Sequence, residues 1–213
     1  MRFVGRLVLL YAVALAAGVA APGYAEDRPD DRLVALVRAL DERLTVWKRP
    51  DGNVVHVSHC RRSRRGCRAR LVTFARMIVE TANEHDVDPF LIAAMAMRES
   101  GFDPFASGAA GERGLVQLHP RGVGARVRFV RSESYRRYCT HQPGACQREV
   151  LEVGVELIAK SIEACGNVAT GLGMYNSGEC GENAYARRVL AEHEKLMQLV
   201  GDSSRDDRAL MVD

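Results

Sequence analysis

Apolar side chains recur three and four residues apart through most of this chain, a spacing that predicts helices. Leu33, Leu36, Val37, Leu40 and Leu44, behind Asp30 and Asp31, predict an amphipathic helix running to about Trp47. Pro50-Asp51-Gly52 supplies turn residues after it, and Val54, Val55 and Val57 form a β-prone patch, either a hairpin arm or a loop. Leu71, Val72, Ala75, Ile78, Val79 and Ala82 predict a second helix over 68–84, joined by a short link to a third. The third is marked at both ends: Asp88 can cap it, Pro89 suits its first turn, Phe90 to Met97 is apolar, and Gly101 stops it. After Pro120 the periodicity fades into short helices. Val150, Leu151, Val155, Leu157, Ile158 and Ile162 then give a broad apolar face over 145–164, closed by Cys165-Gly166. Asn167 opens a short segment ending at Gly178, and Tyr185, Val189, Leu190, Leu196 and Met197 predict a last helix over 182–199. The tail from Gly201 is polar and reads as loose. With no repeat and no sustained strand alternation, the chain reads as a mainly α, single-domain protein.

The first 25 residues stand outside that pattern. Arg2 and Arg6 lead an apolar run from Leu7 to Ala21, followed by Gly23-Tyr24-Ala25, which predicts a cleaved export signal, with an uncleaved anchor as the alternative. The 188 residues left are enough for one domain with a sizeable core. The formal charge of +3 includes the two signal arginines, so the remainder is close to balanced and gives no reason to expect nucleic acid as a partner.

Six cysteines follow the signal, in what export would make an oxidising compartment. They fall into sequential couples, which favours Cys60 with Cys67, Cys139 with Cys146, and Cys165 with Cys180. A zinc site is the rival reading. Without a CxxC pair or histidines at ligand spacing, no metal and no cofactor are expected. The basic run Arg61–Arg70 is either a solvated loop or a contact for an anionic polymer.

Chemistry concentrates on Glu99. It closes an apolar helix at the negative end of the dipole, where ionisation is disfavoured, and that suits a carboxyl kept protonated as a general acid. The six histidines are dispersed and build no triad, and no phosphate-cradling glycine loop is present. Two further blocks accompany Glu99-Ser100: Gly111-Glu112-Arg113-Gly114-Leu115-Val116-Gln117-Leu118-His119-Pro120 and Met174-Tyr175-Asn176-Ser177-Gly178.

In this order the three blocks resemble the soluble lytic transglycosylase (SLT) family. Its lysozyme-like helical domain carries a Glu-Ser pair, a Gly-Leu-Met-Gln block followed by Pro, and an Ala-Tyr-Asn-Ala-Gly block. The resemblance covers roughly 71–196. Together with the patterns above, it divides the chain into an expected export signal (1–25), N-terminal helix and basic linker (26–67), lysozyme-like catalytic domain (68–200) and flexible tail (201–213). The implied activity is cleavage of the β-1,4 bond between N-acetylmuramic acid and N-acetylglucosamine without water, leaving a 1,6-anhydro end. Glycan strands would be the partner. An envelope-spanning secretion or conjugation machine is a further candidate partner, and a monomer is the expected state.

For individual residues, the resemblance implies Glu99 as acid then base, with Ser100 and the Tyr175 hydroxyl shaping the site toward it. Gln117, Asn176, Gly114, Val116 and Tyr185 are the implied substrate contacts, Tyr185 being the second family tyrosine. Val116 stands where the family has methionine, and Gly108 aligns with a family serine, leaving Ser107 one place off. Asp103 is the nearest candidate for a second carboxylate and is read as capping a turn before Pro104. A hydrolysing muramidase, or a wall-binding or assembly protein without turnover, are the alternatives.

Overall fold

A computed structural model of the chain describes the backbone of residues 29–48, 54–56 and 67–209, and the side chains of 31–44 and 68–201. The expected Cys60–Cys67 pairing and most of the basic run lie outside the described side chains. Among the described residues, eight α-helices run in order: α1 Pro29–Arg43, α2 Cys67–Glu84, α3 Pro89–Ser100, α4 Arg128–Arg131, α5 Glu133–Cys139, α6 Pro143–Cys165, α7 Val168–Ser177 and α8 Ala184–Ala209. A short 3-10 turn, Val123–Arg126, precedes α4.

Two expectations need correcting. The first helix stops at Arg43 instead of reaching Trp47, because Thr45–Lys48 form a strand, β1, paired antiparallel with β2, Val54–His56. The β-branched and aromatic residues there outweigh the helical period. The last helix passes Leu199 and continues to Ala209, since the polar run after Gly201 holds no proline to end it.

The third helix is the centre of the molecule, and its ends are built as its sequence requires. Asp88 Oδ1 accepts from the Phe90 amide at 3.0 Å, Pro89 occupies the first turn, and Gly101 takes the left-handed conformation at φ 58° to close the helix. Pro89 through Ala96 are all buried. α3 packs against α2 and α8, while α6 packs against α2 and α7. A single apolar cluster joins them, with Phe74, Ile78, Ile92, Met95, Phe102, Leu118, Phe129 and Leu151 at its heart. α1 belongs to the same cluster: Leu36 and Leu40 are fully buried against its neighbours α2 and α8.

Polar staples fix the frame. Arg43 Nη2 donates to Glu192 Oε2 at 3.1 Å, with Nε and Oε1 2.6 Å apart, so the α1–α8 contact is ionic at both atoms though only one is aligned as a hydrogen bond. His193 of α8 meets Asp88 at 2.5 Å, and this pairing, with the amide bond from Phe90, holds the Asp88 carboxyl below its ordinary range despite partial burial. Disulfides join Cys139 to Cys146 and Cys165 to Cys180, as the sequential couples predicted.

Candidate active site

The loop from Gly101 to Gly122 folds into a four-residue hairpin whose base is the antiparallel pair Arg113 and Leu118, bonded in both directions at 3.2 and 3.0 Å. Gly114 sits in the turn at φ 84°, and a Cβ there would lie 2.8 Å from Gln147 Oε1 and 2.9 Å from Val150 Cγ1. Glycine therefore lets the hairpin lie flat on α6. Gln147, fully buried on α6, ties it down: its Oε1 accepts from the Leu115 amide at 2.9 Å and its Nε2 donates to the Pro104 carbonyl at 3.0 Å. Ser100 Oγ lies within hydrogen-bond distance of the Ala96 and Leu115 carbonyls, at 3.0 and 2.8 Å. It thus links the end of α3 to the hairpin.

Between this hairpin, the end of α3 and α7 lies a cleft of about 690 Å³. Glu99 lines it from α3, Glu112, Gln117 and His119 from the hairpin, Leu157 and Ser161 from α6, and Met174, Tyr175 and Asn176 from α7. Of the residues implied by the family blocks, Glu99, Gln117, Tyr175 and Asn176 meet here. The Cys165–Cys180 disulfide backs this wall, with Met174 Sδ 3.4 Å from Cys165 Sγ. Gly173 is equally constrained: a Cβ there would fall on the Gly181 carbonyl oxygen, so the loop after α7 can cross close over the helix.

Glu99 is half-buried, and burial holds its carboxyl above the ordinary glutamate range. Donation from Tyr185 opposes that rise, and the negative charge of Glu112 adds to it. The Tyr185 hydroxyl is buried and no partner meets full hydrogen-bond geometry; it faces the Glu99 carboxyl in a loose contact. Tyr185 and Tyr175 stack with centroids 6.3 Å apart and planes 13° from parallel. Burial, then the charge of Glu99, raises both hydroxyls well above the usual tyrosine range, so both stay protonated.

Several implied roles change on this geometry. The Tyr175 hydroxyl does not point at Glu99; it donates to the Val116 carbonyl at 2.8 Å, and Tyr185 faces the acid in its place. Ser100 bonds to carbonyls and not to the acid. Val116 is 1 % exposed and packs on α6 where a Cβ on Gly154 would come within 2.5 Å, so its side chain is part of the core. Gly114 serves packing against α6, and neither it nor Tyr185 lines the cleft. Gln117, at φ 46°, commits its amide nitrogen to the Gly114 and Ala106 carbonyls at 2.8 and 3.2 Å, leaving its oxygen as the free acceptor. Asp103 caps its turn as read, accepting from the Phe105 amide at 2.9 Å.

Glu112, His119 and Gln147 were not singled out by sequence. Glu112 and His119 lie one step outside the Arg113–Leu118 pair, so the hairpin register sets them opposite each other. Only the pairing of the hairpin reveals this. His119 Nδ1 accepts from the Arg121 amide at 3.1 Å, which places the proton of its neutral ring on Nε2. Among the described residues, no group of three or more His, Cys, Asp or Glu is arranged to hold a metal ion.

A half-buried acid at a helix end, with two stacked tyrosines behind it, and amide side chains thus meet at one open cleft. The transglycosylase SLT domain model matches residues 76–198, more than half of the chain, and the chain belongs to that family. Its domain is of the lysozyme-like, lytic transglycosylase type that acts on peptidoglycan. Searches of curated proteins and of solved structures gave no match.

Proposed function

We propose that this protein is an exported lytic transglycosylase in which Glu99 acts twice. Its proton goes to the glycosidic oxygen as the bond to the muramyl anomeric carbon breaks. The muramyl 6-hydroxyl oxygen then bonds to that carbon and gives its proton to Glu99, which closes the 1,6-anhydro ring and restores the acid. A tethered hydroxyl needs no captured water and no separate base. The observation that carries this reading is the Glu99 carboxyl, whose acid form is favoured by burial and which lies open to the cleft. Gln117 and Asn176 are the proposed sugar contacts; Ser100, Gly114, Val116, Tyr175 and Tyr185 hold the walls in place.

Residues 1–25 are the proposed export signal, 68–200 the catalytic region, and the periplasm or another extracytoplasmic space the site of action. Two disulfides among the described residues support an oxidising compartment. An envelope-spanning machine that needs a local gap in the wall is a proposed partner.

Digestion of purified peptidoglycan by the native protein and by Glu99→Gln tests the assignment. The native protein should release 1,6-anhydro ends, and the Gln variant, which has the same size but no proton to give, should lose activity by at least about a hundredfold. Comparable turnover by Glu99→Gln would sink it. A hydrolytic outcome has one observation in its favour, the second carboxylate Glu112 in the same cleft, since such a group can activate water. Product masses separate the two, because hydrolysis leaves reducing ends.

A further inference from the structure

Glu112 is the carboxylate that the single-acid scheme does not use. It lines the same cleft as Glu99, and its backbone is fixed by the hairpin base, with Gly108 N donating to its carbonyl at 3.0 Å. Its side chain is fixed as well: Oε2 accepts from the Ala110 amide at 3.0 Å. The space it occupies exists because residue 108 is glycine, as a Cβ there would fall on Glu112 Oε2 and lie 3.1 Å from Gln117 Oε1.

Among the described residues, no lysine or arginine forms an ion pair with Glu112. The neighbouring Arg113 turns its guanidinium to Ser107 Oγ and to the Glu112 carbonyl. His119 stands opposite across the hairpin, with Nδ1 occupied by the Arg121 amide. Tyr185 from α8 and Glu112 from the hairpin act on Glu99, whose own charge is felt by Tyr175 of α7; Arg188 acts on Tyr185. Glu112 is thus the carboxylate among them.

We propose that Glu112 is a positioning carboxylate of this cleft: its charge, held in the hollow left by Gly108, acts on Glu99 and extends the pH range over which that acid delivers its proton. Two negative charges sharing one partly desolvated site resist each other, so the ionised form of the acid is the one penalised. The chain thereby gains upward reach in pH without a second group touching the scissile bond. This rests on Glu99 being the acid, as proposed above.

The test is the pH profile of kcat/KM, measured as fragment release from purified peptidoglycan at low substrate. Above its alkaline limb Glu99 has lost the proton it must donate. Glu112→Gln keeps the size and an oxygen for the Ala110 amide but removes the charge, so the limb should move to lower pH by about half a unit to one unit. Gly108→Ala should dislodge the carboxylate and move the limb the same way, and in the Glu112→Gln background it should add no further movement. A limb that stays in place in folded Glu112→Gln, even with a lower rate at every pH, would overturn the proposal and leave Glu112 as an ordinary wall residue. So would a further shift from Gly108→Ala in the Gln background. Glu99→Gln separates the two readings. If it is inert while the Glu112→Gln limb is unmoved, only this inference fails; if it turns over substrate, the acid assignment falls and takes this inference with it.

Discussion

The two stacked tyrosines near Glu99 hold similar rings in similar surroundings, yet their hydroxyls have different partners. Tyr175 donates to a main-chain carbonyl, whereas Tyr185 faces the acid without a well-aligned partner. Tyr175→Phe should therefore lower stability by about 1–3 kcal/mol, read in thermal or denaturant unfolding, and leave the alkaline limb of kcat/KM in place. Tyr185→Phe should change stability by less than about 1 kcal/mol, because its hydroxyl has little bonding to lose. Its mark should be on pH dependence: donation from Tyr185 favours the ionised form of Glu99, so its removal should push the limb to higher pH. A limb that falls, or that moves with Tyr175→Phe instead, would mean the hydroxyl assignment is wrong. Glu99 makes a prediction of its own. Its folded-state pKa is raised above the unfolded value, so the native state loses stability as pH climbs from the unfolded pKa through the folded one. Glu99→Gln removes that penalty, and its melting temperature should exceed the native one at neutral pH and converge with it near pH 3–4. A lower melting temperature throughout would say that the carboxylate is a stabilising group.

At the scale of elements, sequence was most legible where the determinants are local. The third helix could be drawn from Asp88, Pro89 and Gly101 because caps and stops act within a turn of themselves. Glu99 at its end was legible for the same reason. The hairpin over 111–120 was legible as a motif but not as a shape. Gln147 reads as a surface position on α6 until the hairpin lies on it, and Glu112 and His119 become cleft groups only through the register of Arg113 with Leu118. Which tyrosine faces the acid depends on how α7 stacks on α8, a long-range fact no local signal carries. The Cys165–Cys180 bridge spans fifteen residues and holds that α7 wall, so Cys165→Ser with Cys180→Ser should lower stability by about 3 kcal/mol. The same variant should raise KM more than it lowers the rate at saturation, since it frees the Met174–Asn176 wall and leaves Glu99 in place. An unchanged unfolding midpoint in the double variant would show that the fold does not depend on the bridge.

At the scale of the whole molecule, α1 is the element whose standing the family boundary does not convey. It precedes residue 76, where the family match begins, yet Leu36 and Leu40 are fully buried and Arg43 reaches Glu192, itself 4 % exposed. Leu40→Ala should cost about 2–4 kcal/mol, as expected when a large core side chain is emptied out, with the cleft chemistry otherwise intact. A variant that unfolds like the native protein would mean α1 merely rests on the surface. Anyone shortening this protein to its recognisable portion would thus peel away one wall of its interior, baring a greasy stripe along two helices and taking from Glu192 its closest cationic partner. Such a fragment would clump before it ever met a glycan.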